Sequence, residues 1–275
     1  RRCGRGSRPF FVQPVWNPHQ AQGLAGQGDV EESPEDPDMG ITYKNTSTGA
    51  AYTSGTVSSA VGVSVAVGDL IVVGIGSIEI QPTGLTDTAG NTYTLRTMII
   101  GNSAALRTAW CVATVAHASN IFTASFAAGT CSKYVNVQVY SIDIGDTVSL
   151  DAAISNFSAW EGSPWVVGTI NTTGADAVAI AYFTSGSDMT YTNQEIPSGT
   201  AATVLSTAST VATHFYRILT APATNLNAET DVNTFNAWAG ELLVFKSEAA
   251  GGRTAMITRA KPLGTVHGMN FGVQY

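Results

Sequence analysis

The chain has 275 residues, 44% of them hydrophobic and only 12% charged, and a formal net charge of −7. That length and hydrophobic content suffice for a sizeable core, while charge at about half the usual share of roughly 25% disfavours solvated helices. The net charge of −7, with no cluster of Lys and Arg between residues 40 and 246, argues against nucleic acid as the main ligand, because phosphate binding needs grouped cations.

Residues 1–39 read as an extended arm. Arg1, Arg2, Arg5 and Arg8 make a basic tip; Phe10, Phe11, Val12, Val15 and Trp16 make a short apolar patch. Asp29, Glu31, Glu32, Glu35, Asp36 and Asp38 then form an acidic run broken by Pro34 and Pro37. A segment this rich in Pro, Gly and charge buries too little surface to fold alone, so it is expected to be disordered or to order against a partner. Arginine at position 1 reads as a processed or truncated chain, and no signal peptide is visible.

Residues 40–246 read as one globular body made of strands. Residues 61–77 are the most apolar run; with Asp69 at their centre they are too short for a membrane span and predict two strands around a Val67-Gly68-Asp69 turn. Residues 70–75 suit a central strand. Asp87-Thr88-Ala89-Gly90-Asn91 is a tight-turn signature, with Gly and Asn able to take positive φ. Further strands are predicted at 93–100, 106–115, 121–126 and 134–144. In the last of these Val135, Val137 and Val139 point one way and Asn136 and Gln138 the other. The second half predicts strands at 165–170, 177–183, 211–219 and 237–245. No window carries a convincing helical stripe. Residues 247–275 form a second arm: Ala249-Ala250-Gly251-Gly252 is a flexible joint, followed by loosely mixed basic and apolar residues and a Gly-rich end.

The two halves of the body are variations on one theme. Residues 110–122, from Trp110 to a turn closed by Asn120, line up with residues 215–227, from Phe215 to a turn closed by Asn225. Each is followed by another strand of aliphatic and aromatic residues. A duplicated run of hairpins builds a sandwich.

Five stretches carry a resemblance: residues 68–74; Thr86-Asp87-Thr88-Ala89-Gly90-Asn91-Thr92-Tyr93-Thr94; Ala109-Trp110; Val137-Gln138-Val139-Tyr140-Ser141; and Leu150-Asp151-Ala152. Together they resemble a β-sandwich module of secreted bacterial proteins and phage structural proteins. That module has an Asp-x-x-Gly-Asn-x-Tyr turn, a Trp-bearing strand and a Leu-Asp-Ala stretch leading into a second half. The match spans roughly residues 56–246 and implies a structural module without catalytic residues of its own. Where a Glu commonly precedes the Tyr of the strand ending the first half, this chain has Val139 before Tyr140.

Chemistry-bearing constellations are few. His19, His117, His214 and His267 share no metal-ligand spacing. No Gly-x-Ser-x-Gly elbow, P-loop or dinucleotide fingerprint appears. Asp143, Asp146 and Asp151 read as a calcium loop or as turn chemistry, and turn chemistry is preferred. Trp110 and Trp238 read as core. Trp160 and Trp165 flank Gly162-Ser163-Pro164 and are candidates for a glycan contact. The sequons at Asn45, Asn156 and Asn171 are expected by chance in so Thr-rich a chain. Cys3, Cys111 and Cys131 form no zinc pattern; Cys111 and Cys131 read either as a disulfide or as two buried free thiols.

The sequence therefore predicts an all-β protein, a two-sheet β-sandwich of jelly-roll or immunoglobulin-like type built from two related halves, with extended N- and C-terminal arms. The expected role is a structural assembly subunit of a virion surface or extracellular filament, not an enzyme, without cofactors. Its expected partners are copies of itself or other structural subunits. The assembly contacts are placed on the arms, at Phe10, Phe11, Trp16, Arg259, Lys261, Met269, Phe271 and Tyr275. The competing expectation is a secreted carbohydrate-binding or adhesion module.

Overall fold

The structure is a computed structural model that describes residues 40–58, 62–197, 200–209 and 211–249. The arm residues Phe10, Phe11, Trp16, Arg259, Lys261, Met269, Phe271 and Tyr275, like Cys3, lie outside the described residues.

Among the described residues every regular element is a strand. The first half comprises β1 (Ile41–Ser58), β2 (Val63–Val65), β3 (Leu70–Ile78), β4 (Pro82–Asp87), β5 (Thr94–Leu95), β6 (Ile99–Gly101), β7 (Ala104–Val112), β8 (His117–Asn120) and β9 (Phe122–Ile142). The second comprises β10 (Asp146–Glu161), β11 (Trp165–Ile170), β12 (Ala177–Ser185), β13 (Tyr191–Glu195), β14 (Thr203–Ser209), β15 (Ala212–Leu219), β16 (Leu226–Val232) and β17 (Asn236–Ala249).

In the second half the order β10-β17-β12-β15-β14 forms one sheet and β11-β16-β13 another. The first strand thus lies beside the last, the last beside the third and the third beside the sixth, while the second, seventh and fourth face them. That winding is a jelly roll. The first half repeats it as β1-β9-β3-β7-β5, with β4 joined to β9 and β6 to β7. Here β1 and β9 run through both layers. Thr56–Ser58 pair with Ser125–Thr123, next to β4, while Asn45–Ser54 pair with Val139–Thr130. The strands turn this corner at Gly55 (φ 85°) and Gly129 (φ 139°), where a left-handed backbone favours glycine. The bend is visible in the packing: Phe122, Ala124 and Phe126 share one core with Val135, Val137 and Val139 of the same strand.

Three large apolar cores, and a small cluster of Tyr134, Val211 and Ala212, fill the described body. One lies inside the first jelly roll, around Ile71, Val73, Phe122 and Val137. A second lies inside the second, around Trp165, Phe183, Phe215 and Leu242. The third joins the two halves, with Leu70, Val72, Leu106 and Tyr140 of one sheet against Val178, Ile180, Leu243 and Phe245 of the other. The principal sheets of the two halves therefore pack face to face as a sandwich.

The strand orders run in opposite senses across this interface. β3 meets β12 at the centre, β7 lies over β17, β6 over β10 and β1 over β14. Such an arrangement is a pseudo-twofold. It pairs the contact of Trp110 with Phe245 (centroids 5.2 Å apart, T-shaped) with that of Tyr216 with Tyr140 (5.7 Å, T-shaped). Trp110 pairs with Val72 and Tyr216 with Ile180, both on the shared face. The structural counterpart of Trp110 is consequently Tyr216, not Phe215. The offset between the halves is thus one residue longer than the sequence pattern suggests, and a one-residue slip exchanges the two faces of a strand; Phe215 points into the outer core instead.

Candidate functional site

The motif-bearing turn is built around one carboxylate. Asp87 ends β4, and its Oδ1 accepts from the backbone N–H of Gly90 (2.6 Å) and Asn91 (2.9 Å). Its Oδ2 accepts from Tyr93 Oη (2.6 Å), Asn120 Nδ2 (2.8 Å) and Asn91 Nδ2 (3.0 Å). Burial works to raise the Asp87 pKa, but these hydrogen bonds outweigh it and hold the carboxyl below its ordinary value. The partners extend the network. Asn91 Oδ1 accepts from the N–H of Thr114 and Val115, and Asn120 Oδ1 from Ala89 N and Thr88 Oγ1. The Asp-x-x-Gly-Asn-x-Tyr spacing is thereby explained as a clamp joining the end of β4 to the β7–β8 turn and β8.

Asp151, of the Leu-Asp-Ala stretch, does the same work in the second half. Its carboxylate accepts from the Thr173 N–H (2.6 Å) and hydroxyl and the Gly174 N–H (3.3 Å), and faces Lys246 Nζ at 3.7 Å. Burial opposes ionisation here too, and the bonds from Thr173 and Gly174 carry the pKa below its ordinary value. Asp146 instead accepts from Ser247 Oγ (2.9 Å). Among the described residues no group of three or more His, Cys, Asp and Glu side chains is placed to hold a metal ion.

The face between the halves contains a buried polar seam. Glu241 of β17 accepts from Arg96 Nε (2.6 Å) and from Thr108 Oγ1 of β7 (2.6 Å), tying one sheet to the other. Burial raises the Glu241 pKa against the pull of Thr108 and Arg96. Tyr182 donates to the Val72 carbonyl (3.2 Å), its ring lying where a side chain on Gly74 would stand. His214 stacks on Tyr182 (5.9 Å, 17°), and neither of its ring nitrogens has a hydrogen-bond partner. Burial pushes its pKa down to about 3. His117 is half-exposed on β8, where Nδ1 accepts from the Ser119 N–H (3.1 Å). The two described histidines thus sit in different surroundings. His19 and His267 lie outside the described residues.

The disulfide alternative is overturned. Cys111 and Cys131 are both free and buried. Cys111 lies opposite Ile71, and Ile71 opposite Val139. Cys131 is farther down β9, roughly 26 Å away at about 3.3 Å per residue, far beyond the reach of a bridge. Burial pushes the Cys111 thiol up to about 12, despite the Tyr93 hydrogen bond, and raises that of Cys131 as well.

The tryptophans divide. Trp165 is buried and stacks on Trp238 at 5.6 Å, so it belongs to the core. Trp160 is 71% exposed, with Phe157 (56%) and Phe235 (59%) near the same end of the β10–β17 pair. Another exposed ring is Tyr52 (77%) on β1. At the opposite end of that pair the ends of the body meet. The Gly40 carbonyl accepts from Asp143 N–H (3.2 Å), and a Cβ on Gly40 would stand 2.7 Å from Ser247 Oγ. Comparison with protein-family models, with curated proteins and with solved structures yields no match.

Proposed function

We propose that this protein is a structural assembly subunit, of a virion surface or an extracellular filament, in which the jelly-roll body fills space and the terminal extensions contact neighbouring subunits. The observation that carries this reading is the meeting of residues 40 and 247 at one pole, which gives both extensions a common point of departure. The sequences beyond that pole carry opposite charges, Asp29 to Asp38 on one and Arg253, Arg259 and Lys261 on the other, which suits pairing across subunits. Apolar residues in them, Phe10, Phe11, Trp16, Met269, Phe271 and Tyr275, gain by docking at roughly 25 cal/mol per Å² of buried apolar surface, less the ordering entropy. The resemblance to modules of phage structural and secreted bacterial proteins agrees with this role. Sedimentation and electron microscopy of the full chain and of a chain lacking residues 1–39 test it. Ordered particles from the first and a folded body that no longer forms particles from the second are expected; equal particles from both would overturn the reading.

A second reading is favoured by the exposed Trp160, Phe157 and Phe235. Rings at a sandwich corner suit a carbohydrate-binding module, since a sugar face stacks on an aromatic one. Glycan binding abolished by Trp160→Ala in a non-assembling protein would establish it.

A further inference from the structure

We propose that the outer edge of β1 between Thr48 and Ser54 is a self-association surface, on which the same edge of a second copy of this chain adds as an antiparallel strand. The inference deepens the assembly reading by naming one contact, and it rests on that reading only in requiring self-association. β1 ends its sheet, pairing with β9 alone among the described strands. Exposed sheet edges template the addition of further strands, and proteins guard them with charge, proline or bulges.

The other long edge of the body, β10, is guarded. It has irregularities at Leu150/Ala152 and at Ser158/Glu161, and carries Asp146, Asp151 and Glu161. The N–H groups of Phe157 and Trp160 are taken by Asn156 Oδ1 (2.9 Å) and Ser158 Oγ (3.3 Å) of the same strand. On β1 side chains take backbone groups only at the far end of this stretch, where the Thr53 carbonyl accepts from Lys133 Nζ (2.5 Å) and the Ser54 carbonyl from Thr53 Oγ1 (3.2 Å). From Asn45 to Ser54 its register is unbroken, and Thr48–Ser54 contains neither charge nor proline.

The occupant follows from self-complementarity. An antiparallel pair centred on Ala51 sets Tyr52 of each copy opposite Ala50 of the other, and Thr48 opposite Ser54. No like charges meet, as they would if an acidic segment approached itself. Ala50 and Ala51, with Tyr52, Ser132 and Lys133, line a hollow of about 220 Å³. In this pairing the ring of Tyr52 from the second copy, exposed in the single chain, is delivered to that hollow. The contact is isologous, so it closes as a dimer.

The test is sedimentation of the full chain over a range of concentrations, with hydrogen exchange read on the peptide covering Thr48 to Ser54. Protection of that peptide should rise with concentration. Tyr52→Lys and Ala50→Lys should each raise the dimer dissociation constant at least tenfold at unchanged Tm, while Phe157→Lys on the guarded edge leaves it unaltered. Both positions are exposed, so either variant folds, and one serves if the other fails. Association unaffected by both substitutions, or exchange independent of concentration, overturns the proposal while leaving assembly through the arms standing. Deleting residues 1–39 separates the two: particles lost with the dimer kept supports both, whereas loss of the protection as well makes the arm the occupant and the proposal fails.

Discussion

Two of the shifted side chains shape the pH response of this fold in different ways. Asp87 is held ionised by five hydrogen bonds, so its folded pKa lies below its unfolded one. Its contribution is complete above the ordinary carboxylate value and is lost as pH falls through the lowered one. Asp87→Ala should cost about 2–4 kcal/mol, because it strands the Tyr93 hydroxyl and the Asn120 amide as well as two backbone donors; urea denaturation at pH 7 measures it. His214 responds earlier. It is neutral in the fold, with a pKa near 3, against an ordinary 6.5. The unfolded chain therefore binds the extra proton between those values, and stability is full above about 6.5 and declines as pH falls toward 3. His214→Phe keeps the stack on Tyr182 and removes two nitrogens without partners. Its denaturation midpoint at pH 7 should not fall, and the slope of stability with pH between 6 and 4 should flatten by about one proton; a steeper slope would show that the ring is charged in the fold. The Asp87-x-x-Gly-Asn-x-Tyr clamp was legible as a turn, whereas the partner supplied by Asn120 was not, because that contact joins two strands distant in the chain.

At the scale of elements, β3, β11, β12 and β17 were readable because apolar residues crowd or alternate within them. The edge strands β1 and β10 carry no such signal. They are rich in Thr, Ser, Ala and Asn, half of each faces water, and their strand character comes from pairing with β9 and β17. The bend of β9 was likewise hidden: residues 121–126 and 134–144 read as separate strands, and the structure makes them one strand that changes layers at Gly129. A Cβ there would stand 2.3 Å from Ile80 Cδ1, whereas nothing lies within 4 Å of one on Gly55. Gly129→Ala should therefore destabilise more than Gly55→Ala, which carries the conformational cost of roughly 1 kcal/mol alone; paired thermal melts decide the order. Val137→Asp puts a charge without a partner into the first outer core and should cost more than about 4 kcal/mol or prevent folding. A soluble variant with unchanged Tm would contradict that burial.

At the largest scale, the described body is two jelly rolls sharing one central core. Because Val72, Tyr140, Ile180 and Phe245 lie in that core, and Glu241 of one half binds Arg96 and Thr108 of the other, neither half keeps its inner face dry alone. Heating residues 40–249 should give a single transition with equal calorimetric and van't Hoff enthalpies; two resolved transitions would show independent halves. Arg96→Leu leaves the Glu241 carboxylate buried without its cation and should cost about 3–5 kcal/mol at pH 7, and less at pH 5, where Glu241, with its raised pKa, takes up a proton more readily.

The sequence by itself determined the all-β class, the duplication and the inward set of Val135, Val137 and Val139, because period-two patterning and turn residues are local properties that survive in one dimension. Only the tertiary structure decided which face of each strand meets the other half, that Asn136 and Gln138 are as buried as the valines beside them, that Trp165 is core while Trp160 is surface, and that the two cysteines lie too far apart to bridge. Each of these depends on register and on the stacking of one sheet upon another, and a shift of one residue, invisible in composition, exchanges inside for outside.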